Sequence, residues 1–280
     1  MSVARLMQMA AAGSAGAGPE PSGWTDPDLA NASYDSVSFS VAGQHTNPRS
    51  VSFSSDGTRM FLVGINPDSV FQYSLSLGWD VSSASYDSVS FDVGSQEGNP
   101  QTIVLSPDGS HFYIFGYGST VYQYDMSSAF DLSTAGYASK SLATGLTNAT
   151  GLSFSADGTK LYATSLSGII KQFSMATAWD VSTASSDAKS LDVSARGAST
   201  TGIFMALDGT KVFTTNLTND AIYEYDLATA YDISTGSYNS VSFSVASQEA
   251  NPWSFTFKTN GSKMYVIGNA SDAVHQYSTA

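Results

Sequence analysis

Five times in this chain a turn-forming pair stands between two short apolar runs: Asp56-Gly57, Asp108-Gly109, Asp157-Gly158, Asp208-Gly209 and Asn260-Gly261. The successive spacings are 52, 49, 51 and 52 residues. A period of that size held across most of 280 residues describes an array of one supersecondary unit. Each pair follows an alternating run (51–53, 103–105, 152–154, 203–205, 255–257) and precedes a second apolar run (60–63, 112–115, 161–163, 212–214, 264–267). Asp-Gly in that setting signals a hairpin, and a type I′ turn with positive φ at both central residues is the expectation.

A third run follows (70–73, 121–124, 170–173, 222–225, 274–277), with Gln72, Gln123, Gln172, Glu224 and Gln276 at one fixed place. Then come an aromatic residue, Asp, an aliphatic residue and Ser, as in Trp79-Asp80-Val81-Ser82, with equivalents at 130–133, 179–182 and 231–234. A fourth run closes each copy (89–93, 140–142, 189–193, 241–245). Four short antiparallel strands per copy, repeated at about 50 residues, is the pattern of propeller blades. The last copy stops after its third strand, and the missing fourth lies at the N-terminus, where residues 34–41 match 86–93. Even the aromatic linker has a degenerate copy at residues 24–32. The expected fold is all-β: a five-bladed β-propeller of four-stranded blades. It is closed by pairing an N-terminal strand at about 36–41 with the C-terminal three, which removes the open edges. An open solenoid or two separate sheets is the alternative that these complementary half-repeats disfavour.

Residues 1–23 form a separate unit, an N-terminal anchor tail and flexible linker ahead of a propeller domain at 24–280. Met and Ala positions near 2–12 suit a short helix or an extended tail, and a Gly/Ala/Pro/Ser linker follows. Gln8 interrupts the apolar stretch, so a signal peptide is poorly matched. No stretch is long enough to span a bilayer, so membrane insertion is not expected. The net charge of −13 repels phosphate and ranks nucleic acid low as a partner. Zero cysteines exclude disulfides, thiolate metal sites and a Cys nucleophile.

The segments at 53–58, 105–110 and 154–159 resemble WD40-type and related bacterial surface repeats. The strings VYQYDMSSAFDLSTA (121–135), AIYEYDLATAYDISTGSYNSVSFSVASQEANP (221–252) and YDSVSFDVGSQEGNP (86–100) resemble repeats of virion proteins of tailed bacteriophages, especially marine ones. The opening MSVARLMQMAAAG is similar to the short starts of some phage tail and fibre components. The terminal Trp-Asp and Asp-His pairing of WD40 repeats are not reproduced, so their binding rules are not carried over. The resemblance implies a non-enzymatic tail or fibre component on the particle exterior, or alternatively a bacterial surface protein. Val3, Leu6, Met7 and Met9 would anchor it to other virion proteins, and the assembly could make it oligomeric. Its partner would be a host surface glycan or protein. A purely structural virion propeller and a five-bladed glycan hydrolase are the other readings.

Strand order alone gives polarity. With the first strand innermost, Asp-Gly turns and aromatic-Asp linkers share one face, the bottom, from which residues 1–23 depart. The remaining loops share the top. Arg49, Gln101, Tyr117, Arg196 and Trp253 are the top-face candidates for ligand binding, because amide and aromatic groups suit sugar hydroxyls and ring faces. For most amides there, turn formation is the simpler account.

The residues at the start of the innermost strands read as Arg49-Ser50, Gln101-Thr102, Thr150-Gly151, Thr200-Thr201 and Trp253-Ser254, with no carboxylate for glycoside hydrolysis. No catalytic residue is assigned. Glu97 and Glu249 repeat at one loop position, which points to a structuring role. His45, His111 and His275 fall at different repeat positions, so no metal or cofactor is called for. Asp80, Asp131, Asp180 and Asp232 are read as acceptors of backbone N–H groups rather than calcium ligands.

Overall fold

The computed structural model describes residues 23–197 and 199–280. Period-two alternation becomes twenty strands among these residues, grouped as five four-stranded antiparallel sheets. The first complete blade holds β2 (Pro48–Phe53), β3 (Arg59–Gly64), β4 (Ser69–Leu75) and β5 (Ala84–Asp92). The second holds β6 (Pro100–Leu105), β7 (His111–Gly116), β8 (Thr120–Met126) and β9 (Ala135–Ala143). The third holds β10 (Ala149–Phe154), β11 (Lys160–Ser165), β12 (Ile169–Met175) and β13 (Ala184–Asp192). The fourth holds β14 (Thr200–Met205), β15 (Lys211–Asn216), β16 (Ala221–Leu227) and β17 (Gly236–Ser244). The fifth joins β18 (Pro252–Phe257), β19 (Lys263–Gly268) and β20 (Ala273–Ser278) to the N-terminal β1 (Ser33–Ser40). The closing strand thus starts three residues earlier than the sequence expectation, and a bulge between Tyr34 and Val37 separates its two halves.

Burial follows position in the blade. The innermost strands are buried on both faces, whereas the outermost alternate between half-buried and exposed. Five apolar clusters fill the space between blades, one for each neighbouring pair. The cluster between the fifth and first blades is built like the others, with Tyr265, Ile267 and Val274 against Val51, Met60 and Leu62. The ring is therefore continuous.

The Asp-Gly turns differ from the type I′ expectation. Gly57 N–H donates to Ser54 O at 2.9 Å, and only the glycine has positive φ, +72°. This is a type I turn followed by a left-handed glycine. Asp56 fixes it by accepting from Ser54 Oγ (2.7 Å), Thr58 N (3.0 Å) and Thr58 Oγ1 (2.8 Å). These hydrogen bonds hold the Asp56 carboxyl below its usual pKa range. An all-L turn residue with this Asx bonding makes φ > 0 unnecessary at the Asp.

The glycine is also a shelf for the aromatic linker. A Cβ on Gly158 would lie 2.2 Å from the Trp179 ring, and one on Gly57 would lie 2.4 Å from that of Trp79. Gly158→Ala is expected to cost about 2–5 kcal/mol, from left-handed strain plus overpacking. Chemical denaturation reads this directly; a loss under 1 kcal/mol would contradict the shelf. After the aromatic residue, Asp80 caps a single 3-10 turn by accepting from Ser82 N (3.0 Å) and Oγ (2.6 Å), and Asp131, Asp180 and Asp232 repeat the arrangement.

The repeated Gln ties neighbouring blades together. Gln72 Oε1 accepts from Leu132 N at 2.8 Å, Gln172 from Ile233 N at 2.9 Å, Gln123 from Val181 N at 3.2 Å and Gln276 from Val81 N at 3.3 Å. Glu224 stands where the next linker is the N-terminal copy. There Leu29 N–H turns to Pro27 O instead, and the carboxylate pairs with Lys211 at 2.7 Å. On the outer bulges, Asp87 and Asp187 receive Gln72 and Gln172 Nε2 at 2.8 and 2.7 Å. Ala138 occupies that place in the second blade, which leaves Gln123 Nε2 buried without a partner.

Candidate functional site

Every innermost strand carries a bulge at its top end. The pairing jumps from Pro48 to Ser50, Pro100 to Thr102, Ala149 to Gly151, Thr200 to Gly202 and Pro252 to Ser254. The unpaired residues are Arg49, Gln101, Thr150, Thr201 and Trp253. Bulges re-aim side chains, and here they do so at one end of the ring axis. The fourth-blade counterpart of Arg49 is thus Thr201, one residue later than the Thr200-Thr201 alignment of the sequence. Below the bulges the strands approach closely: Ser50 Oγ and Ser254 Oγ are 3.3 Å apart. A Cβ on Gly151 would lie 3.0 Å from Ile203 N of the next blade.

The five bulge residues differ in what they bind. Thr150 Oγ1 donates to Thr200 O at 2.9 Å and Thr201 Oγ1 to Pro252 O at 3.0 Å, stitching one blade to the next. Gln101 Nε2 donates to Asn99 Oδ1 at 2.6 Å, but its Oε1 is buried and unpartnered. Trp253 Nε1 donates to Asn269 Oδ1 at 3.2 Å, and Asn269 Nδ2 donates to Asn47 Oδ1 at 2.8 Å. The Arg49 guanidinium carbon sits 3.5 Å from the Trp253 ring centroid, a cation–π stack. Arg49 is only 7% exposed, and its Nε and Nη1 have no hydrogen-bond partner. Burial pushes its pKa down to about 10, with nearby Tyr117 opposing, so it is charged at neutral pH.

Of the five top-face candidates, the structure brings Arg49, Gln101, Tyr117 and Trp253 to the axial end. Arg196 lies apart from them. It is exposed, 4.7 Å over the Tyr238 ring on the outermost strand of the fourth blade. Val3, Leu6, Met7 and Met9 lie outside the described residues. The described chain starts on the bottom face, where Thr25 N–H donates to Asn260 O at 3.3 Å.

A cavity of about 500 Å³ runs along the axis from Ser50, Thr102 and Ser254 to the bottom turns at Pro107, Ala156, Leu207 and Lys258. Trp79, Trp179, Phe53, Phe154 and Phe257 make its lower walls apolar. Its lining holds no Asp, Glu or His, and Lys258 is its one ionisable residue. Sequence reasoning did not single out this cavity. The apolar positions of the innermost strands carried the signal, but their alternation does not show whether they meet across the axis.

The two repeated glutamates are hydrogen-bonded within their own loops. Glu97 accepts from Asn99 N and Gly118 N at 3.1 Å each, and burial pushes its pKa up. Glu249 accepts from Asn251 N (2.9 Å), Ala270 N (3.0 Å) and Ser271 N (3.2 Å). Ser271 Oγ bonds Glu249 Oε2 at 2.6 Å and lies 2.9 Å from His275 Nε2, while His275 Nδ1 has no partner. The carboxylate therefore holds the serine and not the imidazole, the reverse of a catalytic triad. His45 Nε2 lies 3.1 Å from Ser69 O and His111 pairs with Asp125, so the three histidines stay apart. No cluster of three or more metal-ligating side chains occurs among the described residues. Among them, too, no helix is long and apolar enough to cross a membrane.

No protein-family model matches this sequence, and no curated protein matches it. The fold is similar to the solved structure of a functionally unknown protein from Desulfotomaculum acetoxidans DSM 771. That match has a TM-score of 0.52 at 14% identity, over 80% of this chain and 66% of that one. Sqt1 from Chaetomium thermophilum gives 0.47 at 17% identity, over 83% and 60%. This chain thus spans less than two thirds of either, and at such identities the likeness is one of fold alone.

Proposed function

We propose that this chain is a non-enzymatic recognition module displayed on a particle surface, a tail or fibre component of a phage virion. Its top face binds a saccharide of the host surface, and residues 1–23 attach it to the assembly. One observation carries the binding part. The residues that depart most from the repeat converge at the top of the axis, and there Arg49 and Gln101 keep polar atoms without protein partners. At the same bulges Thr150 and Thr201 instead bond the next blade's backbone. The position of Trp24 and Thr25 on the opposite face supports attachment from below. The absence of carboxylates from the axial lining favours binding over glycoside hydrolysis, which needs two of them.

The test is an array of bacterial surface polysaccharides probed with the full chain and with Tyr117→Ala and Gln101→Ala. Tyr117 is half-buried in a loop, so its truncation leaves the core intact. Binding to a subset of glycans is expected, weakened at least tenfold in each variant, with the melting temperature unchanged in Tyr117→Ala. No binding to any glycan, or binding untouched by both variants, would refute the top-face reading. Release of reducing sugar would refute the non-enzymatic one.

A further inference from the structure

Arg49 is the one charged side chain at the axial end, and the protein gives it no acceptor. The guanidinium carries five N–H donors in a planar fork. Nε and Nη1 are enclosed without a partner, and Nη2 makes no hydrogen bond either, although it is not enclosed. No ion pair reaches the group among the described residues, although Asp and Glu outnumber Lys and Arg by 24 to 11 in the chain. Buried polar groups are nearly always satisfied, and a buried charge without a counter-ion is costly. The cheap structural solution at this position is a neutral residue, as Thr150 and Thr201 show by bonding the next blade's backbone. The Trp253 ring covers the guanidinium carbon at 3.5 Å, and Nη2 is the nitrogen left unenclosed. Beside it stand an unpartnered acceptor, Gln101 Oε1, and a half-buried phenol, Tyr117.

We propose that Arg49 is the seat for the carboxylate of an acidic saccharide, a uronate or similar sugar acid. This rests on the saccharide reading above and narrows it. A carboxylate can meet Nη2, the nitrogen of the fork that is not enclosed, in a charge-assisted N–H···O bond stronger than a neutral hydroxyl makes. Tyr117, half-buried beside the guanidinium, is placed to contact the sugar ring. The surface as a whole is anionic, so selectivity comes from this single desolvated cation and not from a long-range field.

The experiment titrates the full chain with glucuronate and galacturonate, with glucose and galactose as neutral counterparts, and with acetate and inorganic phosphate. Tryptophan fluorescence and calorimetry give the affinities. At least one uronate is expected to bind ten times or more tighter than its neutral counterpart, and tighter than acetate or phosphate. Arg49→Met removes the unpaired charge while filling the same space. It should abolish that preference and raise the melting temperature of the free protein by several degrees, a gain expected only if the guanidinium is uncompensated. Equal affinity for uronates and neutral sugars would overturn the carboxylate seat and leave the saccharide reading standing. Equal binding of acetate would show that only the anion is recognised, which overturns the sugar-acid assignment. Failure of every probe overturns the inference, and the glycan array then decides the broader reading separately. Arg49→Met with unchanged uronate affinity, or with a lower melting temperature, also sinks it.

Discussion

A chain shortened to begin at Ala42 is expected to lose cooperative folding, whereas one beginning at Gly23 should melt like the full chain. The shorter deletion spares every contact described above. The longer one removes β1 and the linker copy before it. It opens the clusters on both sides of the fifth blade, since Leu29 packs between the fourth and fifth blades and Val41 between the fifth and first. Burying two such side chains is worth about 3–6 kcal/mol. Lys263, Gln276 and Ser278 would also lose Asp35, which accepts from them at 2.6, 2.9 and 2.6 Å. Although burial opposes it, these bonds hold the Asp35 carboxyl below its usual pKa. Finally, β20 would become an open, apolar edge, the template for aggregation that ring closure avoids. Together these losses rival the 5–15 kcal/mol that holds a typical domain. The decisive control is a permutant in which residues 24–41 follow Ala280. Asp28 N–H already donates to Thr279 O at 2.7 Å, so the two termini run side by side there. Circular dichroism and gel filtration should show the truncation unfolded or aggregated and the permutant restored. A monomeric truncation with a cooperative melt would mean that the ring does not depend on its closing strand.

The same half-repeat made the fold legible in the sequence. Residues 34–41 complete the last copy, and only a closed ring gives them a partner. The roles of Asp80 and Glu97 were also legible, because a residue repeated at one loop position answers to the loop. Register was not. A bulge inserts one residue without changing composition, so Thr200-Thr201 looked equivalent to Arg49-Ser50, although pairing places Thr201 opposite Arg49's position. Turn type was hidden for a similar reason, since Asp-Gly serves both a type I′ turn and a type I turn with a left-handed glycine. Arg49 and Trp253 stood out as departures from the repeat. That they stack, and that no acceptor meets the guanidinium, depends on which blades adjoin across the closed seam. Local patterning carries no such information.

Alkali is expected to unfold this protein abruptly above pH 10. Tyr73, Tyr113, Tyr124, Tyr162, Tyr225, Tyr265 and Tyr277 are all buried, and burial pushes each phenol far above its ordinary pKa. Three of them also donate to backbone carbonyls. Tyr113 and Tyr265 donate to Trp179 O and Trp79 O at 2.6 Å, and Tyr162 to Tyr231 O at 2.8 Å. A phenolate there would set a negative oxygen against a carbonyl that can only accept. In the unfolded chain the same groups titrate near 10. The folded state therefore retains protons that the unfolded state releases, and stability falls as pH rises. Their contribution is fully present below pH 10 and is lost progressively above it. Each tyrosine costs about 1.4 kcal/mol per pH unit in that range, so seven cost ~10 kcal/mol per unit, as much as a whole domain's stability. Tyrosinate absorbance of the buried phenols at 295 nm should then appear in one cooperative step that coincides with loss of the far-ultraviolet dichroism. A broad titration of most tyrosines around pH 10 with the dichroism intact would show that the buried phenols ionise within the fold, and that the blade-to-blade bonds they make are dispensable.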